Sequence, residues 1–205
     1  MLKVALTGGI ATGKSYVLAR LRERGVHTID ADEIVHECLR AGTSITNAIA
    51  SQFGGAFVKA DGTIDRALLG AKVFSDPDSR RRLEAIIHPA VYDRISNWYE
   101  TLAQLKLRPT SVAARLAVAS IPLLYETNRQ TDFDLVVATV CPPGMQVQRI
   151  IERDGISEEA AQQRIAAQMP AAEKAARADY VIDTGGTMAE TDRQVEALLL
   201  SLQTR

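Results

Sequence analysis

The feature that most constrains how this chain folds is a glycine-rich run near its start, Gly8-Gly9-Ile10-Ala11-Thr12-Gly13-Lys14-Ser15. The run fits the pattern G-x-x-x-x-G-K-[ST], in which small residues let successive backbone N–H groups point inward and surround phosphate oxygens. The apolar residues 2–6 before it predict a buried strand, and residues 14–24 after it predict a helix that ends at Gly25. A loop between a strand and the positive N-terminal end of a helix is typical of a phosphate-binding site.

Lys14 and Ser15 distinguish this run from a plain glycine turn, which does not require a lysine followed by a serine. The Lys14 ammonium can reach the β and γ phosphates of a nucleotide, and the Ser15 hydroxyl can ligate Mg²⁺. The loop residues expected to contact the nucleotide are Gly8, Gly9, Ala11, Thr12, Gly13, Lys14 and Ser15. The loop therefore predicts triphosphate binding and leaves the reaction open.

Strand and helix patterns alternate along the rest of the chain, which predicts a parallel sheet in an α/β fold. Further strands are expected from apolar runs at residues 26–29, 117–124, 135–140 and 180–182. Between residues 44 and 106, helix signals follow one another, with a turn at Asp61-Gly62 and helix starts at Asp65 and Asp76. We expect a helical insertion there, beside the sheet.

Composition restricts the partners that such a chain can bind. Its 24 Lys and Arg residues against 25 Asp and Glu give a formal charge of −1, which argues against a general affinity for nucleic acid or an anionic membrane surface. No apolar run approaches the roughly 18 residues of a membrane span, and the first apolar stretch is too short for a signal peptide. Cys38 and Cys141 lack the CxxC spacing of zinc or redox sites. We expect a cytoplasmic protein without membrane, nucleic-acid or obligate protein partners.

Two carboxylates follow the second predicted strand, in the sequence Asp30-Ala31-Asp32. The carboxyl ends of parallel strands share one edge of the sheet, where α/β proteins bind ligands, so these acids are expected near the phosphate loop. Asp30 is equally suited to capping the next helix. Asp32 is the better candidate to orient an acceptor hydroxyl and to accept its proton during phosphoryl transfer.

Other polar residues are candidates with two interpretations each. Arg149 and Arg153 are four residues apart on a predicted helix and could close over phosphates as part of a lid, or form surface ion pairs. Glu126 ends an apolar run and could hold a Mg²⁺-bound water or a substrate hydroxyl, or satisfy backbone groups. His88 precedes Pro89, which predicts the end of a helix, and its imidazole could contact an acceptor or pack.

These residues and several others together resemble the dephospho-CoA kinase family over nearly the whole chain. The matching pieces, in the family's order, are Leu6-Thr7-Gly8-Gly9-Ile10 with Gly13-Lys14-Ser15, Ile29-Asp30-Ala31-Asp32, Asp61-Gly62-Thr63 with Arg66, His88-Pro89, Pro122-Leu123-Leu124-Tyr125-Glu126, Arg149 with Arg153-Asp154, Arg164 with Gln168, and Ala178-Asp179. Two departures are visible. Tyr16 replaces a small hydroxyl residue, and Thr184 stands where relatives often have asparagine, so no adenine contact is assigned there.

The resemblance implies transfer of the ATP γ-phosphoryl group to the 3′-hydroxyl of dephospho-CoA, with Mg²⁺, giving CoA and ADP. It implies a P-loop kinase fold with a five-stranded parallel sheet flanked by helices, a helical substrate-binding insertion and a lid. The whole of residues 1–205 would form one domain, with a core at about 1–43 and 111–205, the insertion at about 44–110 and the lid at about 146–168. Asp32 and Lys14 would be catalytic. ATP contacts would extend to Tyr16, Arg149 and Arg153, and the substrate-binding residues would be Asp32, His88, Pro122, Leu123 and Glu126.

Two other functions remain open from the sequence. The same core serves kinases of other small acceptors, such as nucleotides, nucleosides or sugar acids. A nucleotide-dependent switch is the more remote alternative, because Asp183-Thr184-Gly185-Gly186 fits the switch pattern D-x-x-G. That run follows the last predicted strand, however, and the chain has no Asn-Lys-x-Asp run for reading guanine.

Overall fold

The structure, a computed structural model, describes residues 1–105 and 113–202. The chain divides into two compact units, of which the first comprises Met1–Asp30 with Leu105–Arg205 and the second Ala31–Gln104. The expected boundary between insertion and returning core, at residues 110 and 111, lies outside the described residues.

The first unit is built on a five-stranded sheet whose strands all run parallel. The strands are β1 (Leu2–Gly8), β2 (His27–Asp30), β3 (Leu116–Ser120), β4 (Leu135–Val140) and β5 (Tyr180–Asp183). Their order across the sheet is β2-β3-β1-β4-β5, so β1 is central and β3 lies between β1 and β2. The predicted five-stranded parallel sheet is therefore confirmed, and its centre carries the glycine-rich loop.

Helices occupy most of the remaining described chain. In order they are α1 (Lys14–Glu23), α2 (Ala31–Cys38), α3 (Ser44–Phe53), α4 (Arg66–Ser75), α5 (Pro77–Gln104), α6 (Pro143–Asp154), α7 (Glu158–Ala166), α8 (Ala171–Arg177) and α9 (Met188–Ser201). Short 3₁₀ turns occur at Gly55–Phe57, Ala113–Arg115 and Gln130–Asp132. Among the described residues, no helix is both long enough and apolar enough to cross a membrane.

The core of the first unit forms where α1 and α9 pack beside the sheet. Val17, Leu18 and Leu21 recur at helical spacing on α1 and are buried, and Val195 and Leu198 on α9 join the same cluster. β3 is buried along its whole length, as expected for a strand whose two faces are both covered. This packing holds β1, and with it the start of the loop, at the centre of the unit.

β3 is shorter than the sequence predicts. The apolar run extends to residue 124, but the strand ends at Ser120, and Ile121 makes one last bond to the Leu6 carbonyl at 2.8 Å. Pro122 has no N–H with which to continue the ladder, so the chain turns away from the sheet. Glu126 therefore lies within a turn instead of directly at a strand end.

The second unit is organised around the long helix α5. From Ile87 onward its buried residues recur every three or four positions, at Ile87, Val91, Ile95, Tyr99 and Leu102. The prediction that a helix ends at His88-Pro89 is wrong, because α5 continues through Pro89 to Gln104. The proline removes one helical hydrogen bond, and the continuous apolar stripe on both sides of it outweighs that loss.

The predicted turn and helix starts of the second unit are confirmed. The Asp61 carboxylate accepts from the Thr63 N–H at 2.9 Å and closes the turn before Ile64, which bridges to Val58. Asp65 caps α4 by accepting from the Leu68 N–H at 3.0 Å. Asp76 does the same for α5, and its hydrogen bonds to Lys72 and Ser79 hold the pKa of its carboxyl well below the ordinary value.

Candidate active site

The glycine-rich loop connects the central strand β1 to α1. Gly13 is the N-cap of α1 and has a left-handed backbone, with φ of 82°. Within the loop, the Thr12 N–H and hydroxyl both bond to the Gly9 carbonyl, at 3.3 and 2.8 Å. The Thr12 hydroxyl also lies 2.7 Å from the Thr139 hydroxyl at the end of β4. The loop is thus a folded turn anchored to the neighbouring strand.

The loop glycines are required by close packing on the side of the loop that faces the protein. A Cβ on Gly8 would lie 2.7 Å from the Thr139 carbonyl oxygen, and one on Gly13 would lie 2.9 Å from the Thr184 hydroxyl oxygen. Real Cβ atoms do not approach other atoms so closely, so a larger residue at either position would displace the loop.

Side chains from distant parts of the chain bind the loop backbone. Gln146 on α6 donates to the Ile10 carbonyl at 2.8 Å, and the Ile10 N–H donates to the Gln168 side-chain oxygen at 3.0 Å. The Thr184 hydroxyl, just after β5, donates to the Thr12 carbonyl at 3.0 Å. These contacts satisfy peptide groups that neither the sheet nor α1 can reach.

Arg149 on α6 links the loop to the residue after β5. Its Nη1 donates to the Ala11 carbonyl at 3.2 Å and to the Thr184 hydroxyl at 3.1 Å, and its Nη2 donates to the Thr184 carbonyl at 2.8 Å. Ala11 has a left-handed backbone, with φ of 59°, which costs an L-residue energy and therefore needs support from its surroundings. The predicted ATP-binding arginine is thus a neighbour and a support of the loop.

The three residues that open α1 have different surroundings. The Lys14 ammonium folds over the loop and donates to the carbonyls of Gly8 and Gly9, at 3.3 and 3.2 Å. Ser15 is exposed. The Tyr16 hydroxyl donates to Asp192 on α9 at 2.9 Å. Desolvation of the phenol, and then its hydrogen bond to this carboxylate, raise the pKa of Tyr16. The Tyr16 side chain therefore supports the packing of α1 against α9.

The donor set of the loop fits a magnesium-bound triphosphate. A close-approach glycine loop at a helix N-terminus, a lysine and a following serine hydroxyl are the groups that hold phosphates and one metal ligand position. Within the described residues, no three His, Cys, Asp or Glu side chains gather as a metal cage. Mg²⁺ at phosphate sites needs no such cage, because waters and phosphate oxygens supply most of its ligands.

Arg153, at the end of α6, lies in an ion-pair cluster with Asp154 and Arg164. Its Nε and Nη2 donate to the two Asp154 oxygens at 2.7 and 3.0 Å, and Arg164 binds the same carboxylate at 2.5 Å. The bonds from Arg153, with the positive charges of both arginines, hold the pKa of Asp154 below its ordinary value. The cluster carries one positive charge in excess at the end of the predicted lid helix.

The turn after β3 is held by a lysine that sequence reasoning missed. Lys174 on α8 is 0% exposed, and its ammonium donates to the Pro122 carbonyl at 2.5 Å and pairs with Glu126 Oε1 at 2.8 Å. The Met169 N–H donates to the same Glu126 oxygen at 2.9 Å. Leu123, beside Pro122, is half-buried. Lys174 lies in an alanine-rich helix with glutamate and arginine neighbours. Such a composition is typical of a solvent-exposed helix, so the sequence does not indicate that this lysine is buried.

The remaining predicted site residues lie in the second unit. Asp32 is exposed in the first turn of α2, two residues beyond the end of β2, whereas Asp30 is only 9% exposed. His88 is half-buried on α5, with its ring 6.5 Å from that of Tyr92, and burial lowers the pKa of its imidazole. The structure thus brings Lys14 and Arg149 together at the loop and Pro122 with Glu126 at Lys174, while Asp32 and His88 belong to the other unit.

Comparison with known proteins gives a consistent result. The family model described as dephospho-CoA kinase matches residues 2–190. A dephospho-CoA kinase of Anaeromyxobacter dehalogenans is 42% identical over 203 residues, which cover 99% of this chain and 93% of that protein.

Two solved structures are similar over nearly their whole length. TT1252 from Thermus thermophilus is 29% identical with a TM-score of 0.73, covering 98% of this chain and 97% of that one. The dephospho-CoA kinase from Campylobacter jejuni has a TM-score of 0.69 at 24% identity, with the same coverage. By sequence over nearly its whole length, the chain belongs to the dephospho-CoA kinase family.

Proposed function

We propose that this protein transfers the γ-phosphoryl group of ATP to the 3′-hydroxyl of dephospho-CoA and releases CoA and ADP. The proposal is supported above all by the closely packed phosphate loop from Gly8 to Ser15, in a chain that matches the family model over residues 2–190. The loop supplies the donor site, and family membership supplies the acceptor.

The donor half works through position and charge. The N-terminus of α1 and the loop N–H groups would bind the phosphate oxygens, apart from those of Ile10 and Thr12, which bond to Gln168 and Gly9. Lys14 would exchange its contacts with the Gly8 and Gly9 carbonyls for the β and γ phosphates. Bound Mg²⁺, with Ser15 as the proposed protein ligand, would neutralise charge on the phosphates. Residues 146–168 are the proposed lid, in which Arg153 and Arg164 supply positive charge for the transferring group.

The acceptor half centres on Asp32. β2 and β1 end at the same edge of the sheet, and Asp32 follows β2 by two residues. Its carboxylate would orient the 3′-hydroxyl and accept the proton as the oxygen attacks the γ-phosphorus and the bond to the ADP oxygen breaks. Residues 44–110 are the proposed substrate-binding insertion, with His88 as a further acceptor contact. The low pKa of His88 favours the neutral imidazole, which can accept a hydrogen bond from a substrate hydroxyl.

The switch alternative loses its main sequence support. In the D-x-x-G run, the Asp183 carboxylate accepts from the Gly185 N–H at 2.7 Å, and Thr184 binds the Thr12 carbonyl. These residues therefore brace the loop from beyond β5, and nucleotide-dependent movement of this run would break that brace.

We place the reaction in the cytoplasm, because ATP is the donor and both cysteines are buried free thiols.

An acceptor screen with γ-labelled ATP tests the proposal. The protein is offered dephospho-CoA, AMP, nucleosides and pantothenate in parallel, with and without Mg²⁺. We expect label in the dephospho-CoA reaction, dependent on Mg²⁺, and no comparable transfer to the others. Transfer to AMP but not to dephospho-CoA would overturn the acceptor and leave the kinase, and a preference for GTP over ATP would count against both.

A further inference from the structure

Lys174 is unusual because its whole side chain, including the ammonium, is buried. Removing an ammonium from water is costly, so a lysine is almost never fully buried unless its ammonium is paired and hydrogen-bonded. Here the ammonium has two partners, the Pro122 carbonyl and Glu126 Oε1. With no exposed surface it cannot touch a substrate, so any effect on the reaction passes through these partners.

The Pro122 carbonyl lies just beyond the end of β3, at the carboxyl edge of the sheet. Pro122 follows the end of β3, and β3 lies between β1, which leads into the phosphate loop, and β2, which leads to Asp32. The same carbonyl accepts from the Thr7 hydroxyl of β1 at 3.4 Å. Lys174 therefore holds the segment that leaves the sheet beside β1, the strand that leads into the donor loop.

The segment leading to Lys174 contacts the donor loop as well. Gln168 accepts from the Ile10 N–H at 3.0 Å. Ala171 lies near Gly9 as well, because a Cβ built on Gly9 would be 3.4 Å from the Ala171 Cβ. Met169, between them, donates to Glu126. Residues 168–174 thus touch the phosphate loop at one end and the Pro122–Glu126 turn at the other.

We propose that Lys174 is a positioning residue for phosphoryl transfer, which fixes the turn from Pro122 to Glu126 at the distance from the phosphate loop that the acceptor requires. Glu126 is its counter-ion. The second oxygen of Glu126 is buried and has no hydrogen-bond partner among the described residues, so Lys174 and the Met169 N–H hold this carboxylate through its other oxygen. The inference rests on the proposed function for the identity of the acceptor.

Two variants test this role against a purely structural one. Lys174→Met removes the ammonium, and Lys174→Met with Glu126→Gln also removes the carboxylate that would be left buried without its counter-ion. Displacement of a positioned group by about 1 Å can cost on the order of 100-fold in rate. We therefore expect kcat/KM for dephospho-CoA to fall about 10- to 100-fold in each folded variant, while the calorimetric Kd for ATP changes less than about threefold, because the loop keeps its own contacts.

Arg193→Met is the matched control, since it removes one positive charge from an exposed position on α9. It should retain wild-type kcat/KM. A folded double variant with kcat/KM within twofold of wild type, or with ATP affinity reduced in the same proportion, would overturn the positioning role. Failure of both variants to fold would show that the pair is only structural. If wild type itself does not phosphorylate dephospho-CoA, the proposed function fails instead, which separates the two outcomes.

Discussion

Substituting Gly13 by alanine tests whether the phosphate loop is held by packing against Thr184. Gly13 has φ of +82°, and a Cβ there would meet the Thr184 side chain at 2.9 Å. Gly25 offers a matched control, because its φ is +84° and nothing among the described residues lies within 4 Å of its Cβ position. Both substitutions place alanine in a left-handed conformation, and the contact with Thr184 is made by Gly13→Ala alone.

The expected magnitudes follow from these two terms. A left-handed alanine costs about 1–2 kcal/mol, and the smaller entropy of the unfolded chain returns about 0.4–1 kcal/mol. Gly25→Ala should therefore destabilise by about 0–1.6 kcal/mol. Gly13→Ala adds an overpacking cost of about 1–3 kcal/mol, for a total of about 1–4.6 kcal/mol and a fall in Tm of about 2–18 °C.

Urea unfolding measures the stability of the two variants, and calorimetry measures their affinity for ATP. We expect Gly13→Ala to lose both stability and ATP affinity, because relief of the contact with Thr184 moves the loop, whereas Gly25→Ala keeps wild-type affinity. Equal stabilities for the two variants, or unchanged ATP binding by Gly13→Ala, would refute the claim that the loop is fixed by this contact.

Three further substitutions test other parts of the site. Asp32→Asn should lower kcat by about 100-fold or more with Kd for ATP within about threefold, and unchanged turnover would remove Asp32 from the mechanism. Arg149→Lys cannot reach Ala11 and Thr184 together, so we expect a loss of about 1–3 kcal/mol in urea unfolding, and wild-type stability would contradict that link. Because the pKa of His88 is lower in the folded protein, the unfolded chain binds more protons below a pH of about 6.5, and this part of the stability is present above that pH and lost as the pH falls. His88→Gln should flatten the stability profile between about pH 5 and 7, and a slope equal to that of wild type would argue against a buried imidazole.

The loop and the sheet were predictable because their signals are local. The motif from Gly8 to Ser15 lies within one strand–turn–helix unit, and the strands β4 and β5 appear as compact apolar runs. Asp65 and Asp61 act through neighbours two or three residues away, which the sequence also displays. Such contacts are decided by residues close in sequence.

What the sequence does not display depends on distant contacts. Thr184 and Thr12 are 172 positions apart, and Lys174 and Pro122 are 52 apart, so no local pattern links either pair. Pro89 was expected to end a helix, yet tertiary packing along α5 overrides the local preference. For β3 the opposite happens, since an apolar run continues past the point where Pro122 ends the strand.

The central claim is that the loop delivers the γ-phosphoryl group to one hydroxyl of one acceptor. The most direct measurement combines ADP release in the presence of dephospho-CoA with phosphorus NMR of the product. We expect one ADP per product and a new phosphomonoester on the 3′ oxygen of the ribose. ADP release without a phosphorylated product, or a phosphate at another position, would contradict it.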